Sequence, residues 1–223
     1  SALLKKCQEY NQIPIRSEDE IMVTVGSTGA FVATMFTLLN PGDEVIVFEP
    51  YYGYHCNLLT VMGAKLRFIQ TTGPDWKIDF EAVEALITDK TKAIVVTTPG
   101  NPNGKVWTRS ELEKIAALLE KHDIYAITDE IYEYMLYDGR EHISLASLPG
   151  AFERTITLSG FSKTYNMTGW RLGYAVGPEA IIEKMGLLSD LIYICAPTPL
   201  QHGVAEAFEM DDGYFDEMAS SYA

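Results

Sequence analysis

Short apolar runs rich in Val and Ile alternate along this chain with longer stretches whose apolar positions recur at helical spacing. The runs predict strands at Ile21–Val25, Glu44–Phe48, Lys65–Ile69, Lys92–Thr98, Ile124–Thr128, Thr155–Leu158 and Leu172–Val176. Helices are predicted at Ala30–Leu39, Phe80–Ile87, Glu111–Lys121 and Glu179–Leu191. The chain opens within a further helical pattern and closes in another, Tyr214–Ala223. Thr108-Arg109-Ser110-Glu111 carries a capping box, in which hydroxyl and carboxylate satisfy free amides reciprocally. Breakers such as Asn40-Pro41-Gly42-Asp43 and Thr72-Gly73-Pro74-Asp75 fall between the elements. Strands spaced by helices imply a three-layer α/β/α fold, with a mostly parallel central sheet covered on both faces. Ligands of such sheets bind outside the carboxyl ends of the strands, so the loops there carry the functional information.

Composition narrows the classes. The 223 residues suit one domain, and a hydrophobic fraction of 47% with 22% charged residues is ordinary for a globular chain. A net charge of −14 argues against a sequence-independent grip on nucleic acid or acidic lipid. Cys7, Cys56 and Cys195 are far apart, and no Cys-x-x-Cys pair or short-spaced histidine pair offers a metal site. His55, His122, His142 and His202 read as surface or capping residues. No apolar run approaches the roughly 20 residues a membrane helix needs, and a reducing cytoplasm is the default expectation.

The loops hold the chemistry. Gly26-Ser27-Thr28-Gly29-Ala30 follows the first strand and opens a helix, where free amides and the Ser27 and Thr28 hydroxyls favour a phosphate; a plain turn with a helix cap is the alternative. Pro99-Gly100-Asn101-Pro102-Asn103-Gly104-Lys105-Val106 superficially resembles a nucleotide-binding loop, but its glycine spacing is short and Val106 replaces the metal-binding hydroxyl. Asn101 nevertheless offers both a donor and an acceptor. Asp129, at the end of an apolar strand, is either a desolvated carboxylate in need of a cation or a helix cap, and Tyr132 shares its face if a helical turn begins there. Lys163 stands in Ser159-Gly160-Phe161-Ser162-Lys163-Thr164 without neighbouring charges, and Arg171 follows it with a planar fork suited to phosphate or carboxylate. A solvated loop lysine is the bland reading; an amine whose pKa is lowered to attack a carbonyl is the other. One ligand with a phosphate, a protonatable ring nitrogen, a ring oxygen and an aldehyde uses all of these groups. That ligand is pyridoxal 5′-phosphate (PLP), whose enzymes generally pair a Schiff-base lysine with an Asp or Arg partner for the pyridine nitrogen.

Gly160-Phe161-Ser162-Lys163, Asn166-Met167, Gly169 and Arg171-Leu172-Gly173, with Asn101-Pro102-Asn103-Gly104 and Asp129-Glu130-Ile131-Tyr132, resemble the signatures of class I/II aminotransferases, the fold-type I PLP enzymes. The resemblance covers essentially the whole chain. It implies that Lys163 forms the internal aldimine and then carries the proton between substrate and cofactor carbons. It further implies that Asp129 keeps the pyridine nitrogen protonated and that Tyr132 and Asn101 bond the ring oxygen, Asn101 also reaching the substrate carboxylate. Arg171, Ser27 and Thr28 anchor the phosphate on this reading, and Tyr52 stacks on the ring, with a packing tyrosine as the alternative. Many members have a phosphate-binding serine where this chain has Gly160; Ser162 or Ser159 would have to compensate.

Residues 1–223 are accordingly expected to be the PLP-binding large domain of a longer protein, truncated at both ends and lacking the small domain. The expected parent is a homodimer transferring the amino group of an amino acid to a 2-oxo acid in two half-reactions. Two alternatives stay open: a PLP-dependent lyase or synthase of the same fold, and an aminotransferase-like sensor domain of a transcription regulator.

Overall fold

The computed structural model describes residues 1–222. Its elements, in chain order, are α1 (Ala2–Glu9), β1 (Ile21–Val25), α2 (Gly26–Leu38), β2 (Glu44–Glu49), α3 (Gly53–Met62), β3 (Lys65–Gln70), α4 (Phe80–Ala85) and β4 (Thr91–Thr97), followed by α5 (Arg109–His122), β5 (Tyr125–Asp129), β6 (Thr155–Gly160), α6 (Phe161–Thr164), β7 (Leu172–Val176), α7 (Glu179–Tyr193), α8 (Thr198–Ala207) and α9 (Asp212–Ser221). All seven predicted strands form, and they join one sheet in the order β1-β7-β6-β5-β4-β2-β3.

β2, β3, β4, β5 and β6 pair in parallel. β7 is antiparallel to both β6 and β1, so it alone is reversed. The alternation of side chains builds two cores from one sheet. Val45, Val47, Ala93, Val95 and Ile127 face the layer of α2, α3 and α7, whereas Ile46, Phe48, Ile94, Val96 and Ala126 pack under α4 and α5. A third cluster buries Leu3 and Cys7 of α1 and Val204 of α8 against Leu172, Tyr174 and Val176 of β7. The expected α/β/α layering and mostly parallel sheet are thus present.

Helix α5 starts where its cap predicts. The Thr108 side chain accepts from the Glu111 amide, and Glu111 reaches back to the Thr108 amide. Helix α2 begins at Gly26, well before the predicted Ala30, which puts the glycine turn inside its first turn. Three helices escape the pattern: the single turn α6, α3 and α8. α3 begins on a glycine after Tyr52 with no side-chain cap, although Gly63 closes it in a left-handed conformation. α8 begins with prolines, which look like breakers but suit a first helical turn, where their missing amides cost nothing.

Candidate active site

The carboxyl ends of β1, β4, β5 and β6 open on one cavity of about 320 Å³. Ser27, Thr28, Tyr52, Asn101, Asp129, Tyr132, Lys163 and Arg171 all line it. Arg171 gets there by a different route, because it precedes β7. The reversal of β7 turns its amino end to the same edge as the carboxyl ends of its parallel neighbours.

One end of the cavity is built for an anion. α2 follows β1 with Val25 at its N-cap and no side-chain cap, so its first amides are free of the competition a capping hydroxyl or carboxylate would bring. Gly26 sits at φ +69° and carries the Arg171 guanidinium against the place where a Cβ would stand. Gly173 is as tightly placed, since any side chain there would overlap the Gly26–Ser27 peptide. Arg171 Nη1 donates to the Thr168 carbonyl at 2.9 Å, and the Thr168 hydroxyl donates to the Ser162 carbonyl at 3.1 Å. The guanidinium is therefore tied to the short helix that carries Lys163. Ser162 lines the cavity. Ser159 does not, being buried with its hydroxyl directed to Glu133 Oε1 at 3.0 Å, so of the two serines offered in place of Gly160 only Ser162 faces the site.

The opposite wall is a desolvated acid. Asp129 is buried, and its Oδ2 lies 3.0 Å from His55 Nε2. Its Oδ1 accepts from the Ile131 amide at 3.3 Å, a bond within the turn that follows β5; no helix starts there for Asp129 to cap. His55 is stacked on Phe31 with centroids 4.4 Å apart and meets Tyr52 edge-on at 5.2 Å. Asn101 Nδ2 donates to the Tyr132 hydroxyl at 3.2 Å. Desolvation raises the pKa of the Tyr132 phenol, with the Asn101 hydrogen bond opposing it, and desolvation likewise raises that of Tyr52. Both phenols therefore hold their protons at neutral pH and can donate to an oxygen in the cavity.

Lys163 projects from α6 with its Nζ 6.0 Å from the Tyr132 ring centroid. Among the described residues neither Lys163 nor Arg171 enters an ion pair, whereas Lys6, Lys105 and Arg16 all do. Lys105, the lysine of the false nucleotide loop, is held by Glu111 at 2.8 Å. The cavity thus presents an amine and, at an uncapped helix start, a guanidinium, both without a counter-charge among the described residues, together with a carboxylate, as an aldehyde, a phosphate and a ring nitrogen of PLP require. No group of three or more acidic, histidine or cysteine side chains among the described residues is arranged for a metal ion.

His55 corrects the sequence reading, in which all four histidines are surface or capping residues. It is 5% exposed and belongs to the site. The His142 side chain is buried as well, with Nε2 2.9 Å from Glu130. A signal for His55 was available: the stretch from Pro50 to Ala64 contains no Asp, Glu, Lys or Arg, the same isolation that marks Lys163. Phe31, Leu58 and Thr168 also line the cavity, and their ordinary residue types carry no such signal.

The fold is that of solved aminotransferases. The aromatic aminotransferase from Pyrococcus horikoshii OT3 superposes with a TM-score of 0.94 at 36% identity, covering 99% of this chain and 60% of that one. Kynurenine–oxoglutarate transaminase 3 of Rattus norvegicus is 41% identical over 92% of this chain and 48% of its own length. Aromatic-amino-acid aminotransferase 2 of Thermococcus litoralis is 35% identical over 99% and 58% respectively. The profile of aminotransferase class I and II matches residues 1–223, and the chain belongs to that family. It spans about half the length of the curated relatives it matches.

Proposed function

We propose that this chain is the cofactor-binding large domain of a PLP-dependent aminotransferase that passes the amino group of an amino acid to a 2-oxo acid. The observation that carries the reading is the convergence of eight predicted residues from five separate segments of the chain on one cavity. When bound, PLP supplies an electron sink for the negative charge left on a substrate carbon that loses its proton. Lys163 would hold the cofactor through its amine and, once released, take and return the substrate proton at Nζ. Asp129, oriented by His55, would keep a proton on the ring nitrogen. Tyr132, steadied by Asn101, would donate to the ring oxygen, and Tyr52 would pack against the ring. Arg171 and the α2 amides, with Ser27 and Thr28, hold the phosphate.

Aromatic amino acids and oxoglutarate are the first substrates to try, because relatives named for them match most of the chain. A homodimeric parent belongs to the same reading and rests on the resemblance. No helix of the described residues is long and apolar enough to cross a membrane, and the three free cysteines accord with a reducing compartment.

The test is to mix the purified chain, and a full-length parent, with PLP, reduce with borohydride and map the modified peptide. A PLP adduct on Lys163 is expected. An adduct on another lysine, or none with either protein, overturns the proposal.

A further inference from the structure

The residue after Tyr132 is a glutamate buried to 1% exposure behind the cavity, and it receives four donors from four parts of the chain. Its Oε2 accepts from Lys6 Nζ of α1 at 2.6 Å and from Asn11 Nδ2 at 2.7 Å. Its Oε1 accepts from the Ser159 hydroxyl of β6 at 3.0 Å and from the Tyr174 hydroxyl of β7 at 3.2 Å. Lys6 also donates to the Tyr174 hydroxyl at 2.8 Å and lies near the rings of Tyr10, Tyr134 and Tyr174. None of these side chains lines the cofactor cavity.

A buried carboxylate with a single partner would be costly, but one with four donors and a full counter-charge is a rigid joint. This joint sits where the site's arms converge. Glu133 continues the loop that carries Asp129 and Tyr132. Ser159 precedes Gly160, the last residue before the helix of Lys163, and Tyr174 lies on the strand that Arg171 opens. A side chain on Gly160 would stand 2.9 Å from the Leu172 carbonyl, so β6 and β7 are closely apposed at this point.

We propose that Glu133, neutralised by Lys6, is a positioning residue that sets the separation of Lys163, Arg171 and the Asp129–Tyr132 arm. α1 thereby serves a cavity it does not touch. The inference rests on the PLP reading above and adds to it a rear network that lies outside the motifs. Positional errors of an ångström or less at reacting groups cost orders of magnitude, so loss of the joint shows in capture of the cofactor.

The test compares wild type with Glu133→Gln, Lys6→Met and Ser159→Ala well below their melting temperatures. It measures PLP affinity by absorbance titration and the pH profile of borohydride trapping on Lys163. Glu133→Gln is expected to weaken PLP binding about tenfold or more and to shift the trapping profile, with Ser159→Ala following in the same direction at a few-fold. Folded variants that melt earlier but keep wild-type affinity and trapping profile would overturn the proposal, leaving Glu133 a purely structural residue. If Glu133→Gln does not fold, Ser159→Ala and Lys6→Met decide by the same two readouts. A wild-type protein that traps no PLP sinks the cofactor reading itself and this inference with it; a wild type that traps PLP beside unaffected variants sinks only the inference.

Discussion

Tyr132 and Glu133 are neighbours in the chain, and each is met by a lysine under opposite terms. Lys163 approaches the Tyr132 ring at 6.0 Å and has no counter-charge among the described residues. Lys6 is sealed against Glu133 at 2.6 Å, with Tyr174 as a further partner. The first amine is left free on the cavity side, and the second is spent on holding strands together behind it. What separates a lysine available to a ligand from a structural one is therefore the presence or absence of a carboxylate, more than its depth. Arg171 and Arg16 repeat the contrast, since Arg16 is bound by Glu20 at 2.5 Å.

The contrast breaks most completely at Lys163. Lys163→Ala should abolish the borohydride-stable PLP adduct, while Lys6→Met should still be modified at the Lys163 peptide, as peptide mapping will show. Asp129→Ala comes next. It removes the charge that the ring nitrogen needs and leaves His55 without its partner, which should weaken PLP binding by about two orders of magnitude in an absorbance titration. His55→Phe keeps a ring against Phe31 but loses the contact with Asp129, and about a tenfold weakening is expected in the same titration.

The smallest effect lies on the structural side. Burial pushes the Glu133 carboxyl up, but Lys6, His142 and the hydrogen bonds from Lys6 and Asn11 outweigh it and leave its pKa below the ordinary value. The stability this adds is present above the unfolded pKa of about 4.3 and drains away as pH falls through the lower folded value. Thermal melts from about pH 6 downward should show that acid loss in wild type and less of it in Glu133→Gln.

Most of the architecture was legible because strands buried on both faces must be apolar at every position, as in Val45–Phe48 and Ala93–Val96. The cavity-lining residues were legible because strand ends and uncharged surroundings mark Asp129 and Lys163 in one dimension. His55 was overlooked because its role depends on α3, a helix without a cap signal. Glu133 was hidden for another reason. Glutamate is most often a surface residue, and its four donors come from positions as distant as Lys6 and Tyr174. No local spacing foretells such a meeting. The antiparallel direction of β7 was equally invisible, since a strand's pattern has no arrow.

That reversal has a consequence for how the protein can vary. A parallel crossover would carry the chain back across the sheet to its opposite end before the next strand could begin. Because β7 runs the other way, residues 161–171 pass directly from the end of one strand to the start of its neighbour. The covalent and ionic anchors of the proposed cofactor thus travel as one short, contiguous cassette. A change in its length would alter the reach between amine and guanidinium without requiring any change in the sheet's register.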